Sequence, residues 1–280
     1  MQDTGTILAP RHRLVVRITH WLNAVAIIML LMTGLNIFGA HPRLYWGQAG
    51  SVDQRAGQWL EISTDAPGGH PRGYVEVVGT RFTTTGVLGL SSYNGAPNPV
   101  AYPAWSTFPT MRNLAMARNW HFALAWLLIV NGLVWLGSSL VNGHIRHELL
   151  PRAAELAPRH IWHDIVLHAR LQFPKGVAAL RYHILQKLAY GGVALLLIPG
   201  VIITGMAMSP GLDAALPWLV PLLGGRQTAR SLHWICANAI LLFTIVHLAM
   251  VVASGAINQI RGMITGRIRI EKEADDAVAA

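Results

Sequence analysis

The sequence predicts an all-α membrane protein: a four-transmembrane-helix bundle with a long outer loop, or cap, between helices 1 and 2. Three observations predict it. Of 280 residues, 52% are hydrophobic and only 12% are charged, against about 25% charged in an average soluble domain. Residues 18–42, 119–145, 188–212 and 231–260 contain no Asp, Glu, Lys or Arg, giving windows of 25, 27, 25 and 30 residues. A spanning helix needs roughly 20. Finally, Lys and Arg gather in the N-terminal arm, in 146–187 and in 261–272. The positive-inside rule puts those three stretches, and both termini, on the cytoplasmic side. The net charge of +9 is therefore charge that orients a membrane protein, and nucleic acid is not an expected partner.

The chain reads as a single membrane domain, 1–280. A basic arm, 1–17, precedes a first span at about 18–39. That span is not a cleaved signal peptide, because its apolar run exceeds the roughly 7–15 residues of a signal core. The outer loop 40–117 has 78 residues, too many for a simple connector. It is rich in Gly, Pro, Thr and Ser, with strand-like pieces "GYVEVV" (73–78) and "RFTTTGVL" (81–88). Span two covers about 119–141. In the inner loop 142–183, "HIWHDIVLHARL" (160–171) has apolar positions at helical spacing and predicts a helix lying along the membrane surface. Span three, about 184–208, contains Pro199 and Gly200, which predict a kink. "LDAALPWLVPLLGG" (212–225) reads as an outer interfacial segment before span four at about 231–254. The lone cysteine, Cys236, excludes an intrachain disulfide, a Cys-x-x-Cys-His haem attachment and a cysteine-ligated iron–sulfur cluster.

Ionisable residues inside spans are functional candidates by default. "RITHW" (17–21), "RNWHF" (118–122) and "RSLHW" (230–234) each write Arg, two residues, His and an aromatic at the head of an apolar run. His20 sits at the cytoplasmic mouth of span one; His121 and His233 sit at the outer mouths of spans two and four. His247 lies 14 residues past His233, about 21 Å along the same helix and within roughly 40° of the same face. The four histidines thus form two layers, each pair drawn from different helices. Facing imidazoles at one depth suit bis-histidine ligation of haem iron. The pattern predicts two b-type haems: His121/His233 near the outer face and His20/His247 near the inner face. Arg17, Arg118 and Arg230, one turn nearer water, are candidates to meet haem propionates, or to act as ordinary interfacial anchors. A zinc site or proton pathway is the competing reading, weakened by the lack of Asp and Glu in the spans. His160, His163 and His168 on the inner segment are candidates for proton exchange or metal binding, or simply exposed.

These residues resemble the bacterial dihaem cytochrome b561-like superfamily, which includes the cytochrome b subunits of formate dehydrogenase and nickel–iron hydrogenase. "YHILQKLAYGGVALLLIPGVIITGMAMSPGLDAALPWL", "GGRQTARSLHW", "TTTGVLGLSSYN" and "PAWSTFPTMRNLAMARNWHFALAW" are most similar to the branch of thiosulfate reductase cytochrome b subunits. The resemblance implies a protein of the bacterial inner (plasma) membrane that exchanges electrons between the quinone pool and a periplasmic partner. That partner is a catalytic or electron-carrier subunit, with molybdopterin oxidoreductases as a frequent type. Lys187 and Tyr190, in "QKLAY", then become candidates for a quinone site beside the inner haem, with membrane anchoring as their plainer role. Two other functions remain open on the sequence: a stand-alone quinone-coupled haem oxidoreductase acting on a small oxidant, and a haem-free transporter or anchor.

Overall fold

The computed structural model describes residues 6–271 except 51–55, 174–175, 177–179 and 181, so parts of the basic arm and inner loop lie outside it. In chain order the elements are β1 (Thr6–Pro10), α1 (Leu14–Phe38), β2 (Arg43–Tyr45), β3 (Gln58–Asp65), β4 (Arg72–Val77), β5 (Thr80–Thr83), β6 (Ser91–Tyr93) and β7 (Ala96–Asn98). There follow α2 (Leu114–Val141), α3 (Pro158–Ala169), α4 (Ile184–Gly192), α5 (Ile198–Met208), α6 (Pro210–Ala215), α7 (Leu219–Leu222), α8 (Arg226–Ala253), α9 (Ala256–Thr265) and β8 (Arg267–Glu271).

Among the described residues four helical stretches are long and apolar enough to cross a membrane: Leu14–Phe38, Leu114–Val141, Ile184–Met208 and Arg226–Ala253. Their 25 to 28 residues extend about 37–42 Å, beyond a hydrocarbon core of about 30 Å. That surplus is why α1, α2 and α8 begin four or five residues before the spans read from charge-free windows. Arg17, Arg118 and Arg230 lie inside the helices rather than ahead of them. Side chains such as Trp126, Leu133, Leu242 and Val252 stand exposed along the helices, an arrangement suited to lipid and not to water. Pro199, at the start of α5, lacks the amide that would continue the ladder. Just ahead of it Val193–Leu197 widens to a π-helical turn, the local irregularity that proline predicts.

The chain divides into two compact units, Met1–Asn23 with Val130–Leu197 and Ile240–Ala280, and Ala24–Ile129 with Ile198–Ala239. In the first, β1 pairs antiparallel with β8, Thr6 opposite Glu271 through Pro10 opposite Arg267. Ala9, Ile268 and Ile270 are buried by this pairing. The sequence reading had only a basic arm here, because the partners are the two ends of the chain. Gly266 turns α9 into β8 at φ +80°, and a Cβ there would stand 2.9 Å from the His12 carbonyl oxygen. Asn131 on α2 donates to the Thr19 carbonyl (2.8 Å) and to Asn23 Oδ1 (2.7 Å) on α1, polar glue between two apolar helices. The predicted inner-surface helix is α3, which presents Trp162 and Ile165 outward.

The second unit carries the cap, an antiparallel sheet in the order β2-β3-β4-β5. Its apolar face packs Leu44, Leu60 and Ile62 with Phe38 of α1 and Ala101. On the other face Glu61 is buried but accepts from Arg43 at 2.7 Å. β6 and β7 form a hairpin across Asn94 (φ 50°) and Gly95 (φ 80°), the Asn-Gly pair that a tight turn with positive φ favours. The cap is tied to α8. The Gly47 carbonyl accepts the amides of Gln227 (3.1 Å) and Thr228 (3.2 Å), and Gln48 Oε1 accepts that of Arg226 (2.7 Å). These bonds satisfy donors that a helix N-terminus leaves unpaired.

Candidate functional site

In the second unit α2 supplies His121 and α8 supplies His233, with ring centres 6.3 Å apart at 60°. Each imidazole rests on a Thr-Gly step of another helix. On α1, Thr33 Oγ1 lies 2.9 Å from His121 Nδ1 and 2.8 Å from the Met29 carbonyl oxygen. On α5, Thr204 Oγ1 lies 3.1 Å from His233 Nδ1 and 2.6 Å from the Gly200 carbonyl oxygen. A Cβ on Gly34 or on Gly205 would stand 3.4 Å from Cε1 of the respective histidine, so each ring is seated against glycine backbone.

The hydrogen positions follow from the partners. Each threonine gives its single proton to a carbonyl one turn back in its own helix, which leaves its oxygen to accept. His233 Nδ1 also faces the Val201 carbonyl oxygen at 3.0 Å, and a carbonyl only accepts. These partners favour the tautomer of each histidine with its proton on Nδ1 and a bare Nε2, the form in which imidazole binds a metal. The Thr-Gly pairs escaped the sequence reading. Their signal was the repeated "TG" at 33–34 and 204–205, two apolar runs each interrupted by one hydroxyl and one missing side chain.

In the first unit His20 of α1 and His247 of α8 also stand 6.3 Å apart, at 71°. Here rings do the positioning. Phe243, one turn earlier on α8, stacks on His247 at 5.5 Å and 15°. Tyr190 of α4 meets His247 edge-on at 6.1 Å, and Tyr182 meets Tyr190 at 5.5 Å. Arg11 lies over Tyr182 at 4.7 Å. Lys187, on the same helix as Tyr190, is buried and donates to both Glu155 oxygens, at 2.7 and 2.9 Å. That pairing holds the Glu155 carboxyl below its usual range.

The arginines are divided. Arg17 donates to the Ile264 carbonyl in the last turn of α9, where a cation also meets the negative end of the helix. Arg230 donates to the His41 carbonyl and lies 5.4 Å from the Phe38 ring centre. Arg118 is exposed, over the Phe122 ring at 5.7 Å. On the inner segment His168 and His183 stand 6.1 Å apart, and His183 Nδ1 is 3.8 Å from Asp164 Oδ2. His160 and His163 are exposed. Among the described residues no group of three or more His, Cys, Asp or Glu side chains is arranged to hold a metal ion; the paired imidazoles are the metal-binding chemistry on offer.

Among curated proteins the chain is similar to one described as "Putative protein-methionine-sulfoxide reductase subunit YedZ1" from Azospira oryzae. The two are 27% identical over 238 residues, covering 84% of this chain and 86% of the relative. The family model for prokaryotic cytochrome b561 matches residues 11–266. With four membrane-crossing helices in that span, the chain belongs to the prokaryotic cytochrome b561 family, as a haem b electron-transfer protein of the inner membrane.

Proposed function

We propose that this chain is a dihaem cytochrome b subunit that carries electrons between quinol at the cytoplasmic side and a redox partner at the cap. The observation that carries the reading is the equal separation of the two histidine pairs. Two metal–imidazole bonds of about 2.0 Å, each extended about 1.1 Å to its ring centre, predict roughly 6.2 Å across one iron. Both pairs stand at 6.3 Å. His121 and His233 hold the outer haem and His20 and His247 the inner one. Haem bound there supplies reversible one-electron chemistry at iron.

The chain's own residues do the rest. Thr33, Thr204 and the Val201 carbonyl keep the proton on Nδ1 and fix the ring planes. Phe243 and Tyr190 fix His247. Arg118, exposed at the head of α2, would meet a haem propionate, and Arg17 and Arg230 would do so by exchanging their carbonyl partners. Lys187 and Tyr190 line a quinone site beside His247, with Glu155 balancing the lysine charge. Quinol gives up two electrons and two protons there. Haem held at His20 and His247 would accept those electrons one at a time, and the protons leave toward the basic inner face.

The family resemblance, to thiosulfate reductase subunits, and the relative's name, a methionine-sulfoxide reductase subunit, differ in substrate. They agree in making the cytochrome a subunit beside a catalytic partner, and both name a reductase, so electrons run outward. Anaerobic addition of a short-chain quinol to purified, haem-quantified protein tests the inner step. The reading expects the b-type α band to appear within seconds; oxidised spectra that persist with quinol but give way to dithionite would remove quinol as donor.

A further inference from the structure

Three tryptophans stand in a row beneath the cap. Trp234 directly follows His233 on α8. Its indole meets that of Trp59, on β3, edge to face with ring centres 5.8 Å apart. Trp59 in turn stacks on Trp46 at 5.6 Å and 16°. Trp46 is 44% exposed, so the row runs from the helix bearing His233 to the protein surface.

The row is held in place at each end. Ser231, fully buried two residues before His233, donates to the Tyr45 carbonyl (2.7 Å) and accepts from Trp59 Nε1 (2.9 Å). The residue after Trp46 is Gly47, whose amide donates to Thr228 Oγ1 at 2.8 Å and whose carbonyl caps α8. Burial of apolar area explains Trp59 and Trp234, which pack against the core of the cap. It does not explain Trp46, where a large ring is stacked on Trp59 yet left nearly half exposed.

We propose that Trp234, Trp59 and Trp46 are the route by which electrons pass between the outer haem site and a redox protein outside, with Trp46 as the point of contact. This rests on the reading of His121 and His233 as haem ligands. Tunnelling falls off steeply across gaps and slowly across packed π systems, and indole is among the side chains that most easily lose one electron. Exposed tryptophan is also a frequent energetic anchor of protein interfaces. The occupant is a protein bearing a one-electron centre close beneath an apolar patch. Each electron that centre gains would be supplied by haem held at His121 and His233, with Trp234, Trp59 and Trp46 bridging the transfer and no bond made or broken.

A photogenerated ruthenium(III) tris-bipyridine oxidant tests the route on the full-length, haem-loaded, anaerobically reduced protein. Two things are read after each flash: bleaching of the b-type band, and oxidation products on Trp46 by peptide mass spectrometry. In the wild type, bleaching is fast and Trp46 stays unmodified because its lost electron is replaced from within. Trp59→Leu slows bleaching by an order of magnitude and leaves oxidised Trp46. Trp46→Leu, checked for an unchanged melting temperature and b-type spectrum, slows bleaching alike. The proposal is overturned if either variant keeps its b-type spectrum and bleaches at the wild-type rate. A wild-type protein with no b-type band would overturn instead the haem reading beneath it.

Discussion

Thr33 Oγ1 and His121 Nδ1 lie 2.9 Å apart, joining a hydroxyl on the first membrane helix to an imidazole on the second. Thr204 and His233 repeat the relationship at 3.1 Å. A hydroxyl that gives its proton to its own helix is left to accept, which favours the histidine tautomer with Nε2 bare toward a metal. Bonds of this kind outside the ligand shell are worth 10–100-fold in metal affinity on average, to about an order of magnitude.

Thr33→Val keeps the shape of the side chain and removes the acceptor. It is expected to weaken retention of one haem by about tenfold and to raise its midpoint potential, because an imidazole that loses an Nδ1 partner donates less charge to iron. Thr204→Val should act alike, since each ring also has a backbone carbonyl partner, that of Val201 beside His233 at 3.0 Å and that of Leu30 beside His121. Haem content after dilution and a spectroscopic redox titration measure both. Unchanged haem retention and potential in both variants would mean that the hydroxyls contribute nothing.

Glu155 and Lys187 differ in burial, the lysine side chain being 10% and the glutamate side chain 35% exposed. Removing the glutamate strands a buried ammonium, whereas removing the lysine leaves a carboxylate that reaches water. Glu155→Ala is therefore expected to lower the melting temperature in detergent more than Lys187→Met does. Lys187→Met should chiefly raise the KM for a short-chain quinol. Thermal melts and steady-state quinol oxidation separate the two; a larger thermal loss in Lys187→Met would refute this division.

His12, just ahead of α1, is held neutral by burial and by Arg11, its pKa lowered to about 4. The unfolded chain takes up that proton near pH 6.5, the folded one not until about 4. Stability therefore falls as pH drops through that window and levels off below it, by up to a few kcal/mol before allowance for its partial exposure. The β1–β8 pairing, whose turn at Gly266 approaches the His12 carbonyl, should loosen first. Hydrogen exchange of Ile268 and Ile270 amides at pH 7 and pH 4.5, in wild type and His12→Gln, follows it. The variant should lose the pH dependence.

The helices and their order were legible because apolar runs without charge have few other readings; the two histidine layers were read from depth in the spans, with helix period placing His233 and His247 on one face. What escaped was of another kind. The Thr33–His121 and Thr204–His233 contacts join residues 88 and 29 apart, and neither threonine looks unusual in its own helix. The β1–β8 pair joins opposite ends of the chain. The arginines were read by helical position alone, which gives the turn but not the direction of a long side chain. Arg17 and Arg230 donate to carbonyls of α9 and of the start of the cap, partners that helical position does not reveal. The Asn94-Gly95 pair, by contrast, is a turn signal carried by the sequence itself.

The central claim is that paired imidazoles grip two irons. Haem and iron quantification of the wild type and of His20→Ala, His121→Ala, His233→Ala and His247→Ala, with a redox titration of each, tests it most directly. The account predicts two b-type haems per chain in the wild type. His121→Ala and His233→Ala should each lose the same titrating component, and His20→Ala and His247→Ala the other. One haem in the wild type, or a common component lost from His20→Ala and His121→Ala, would contradict it.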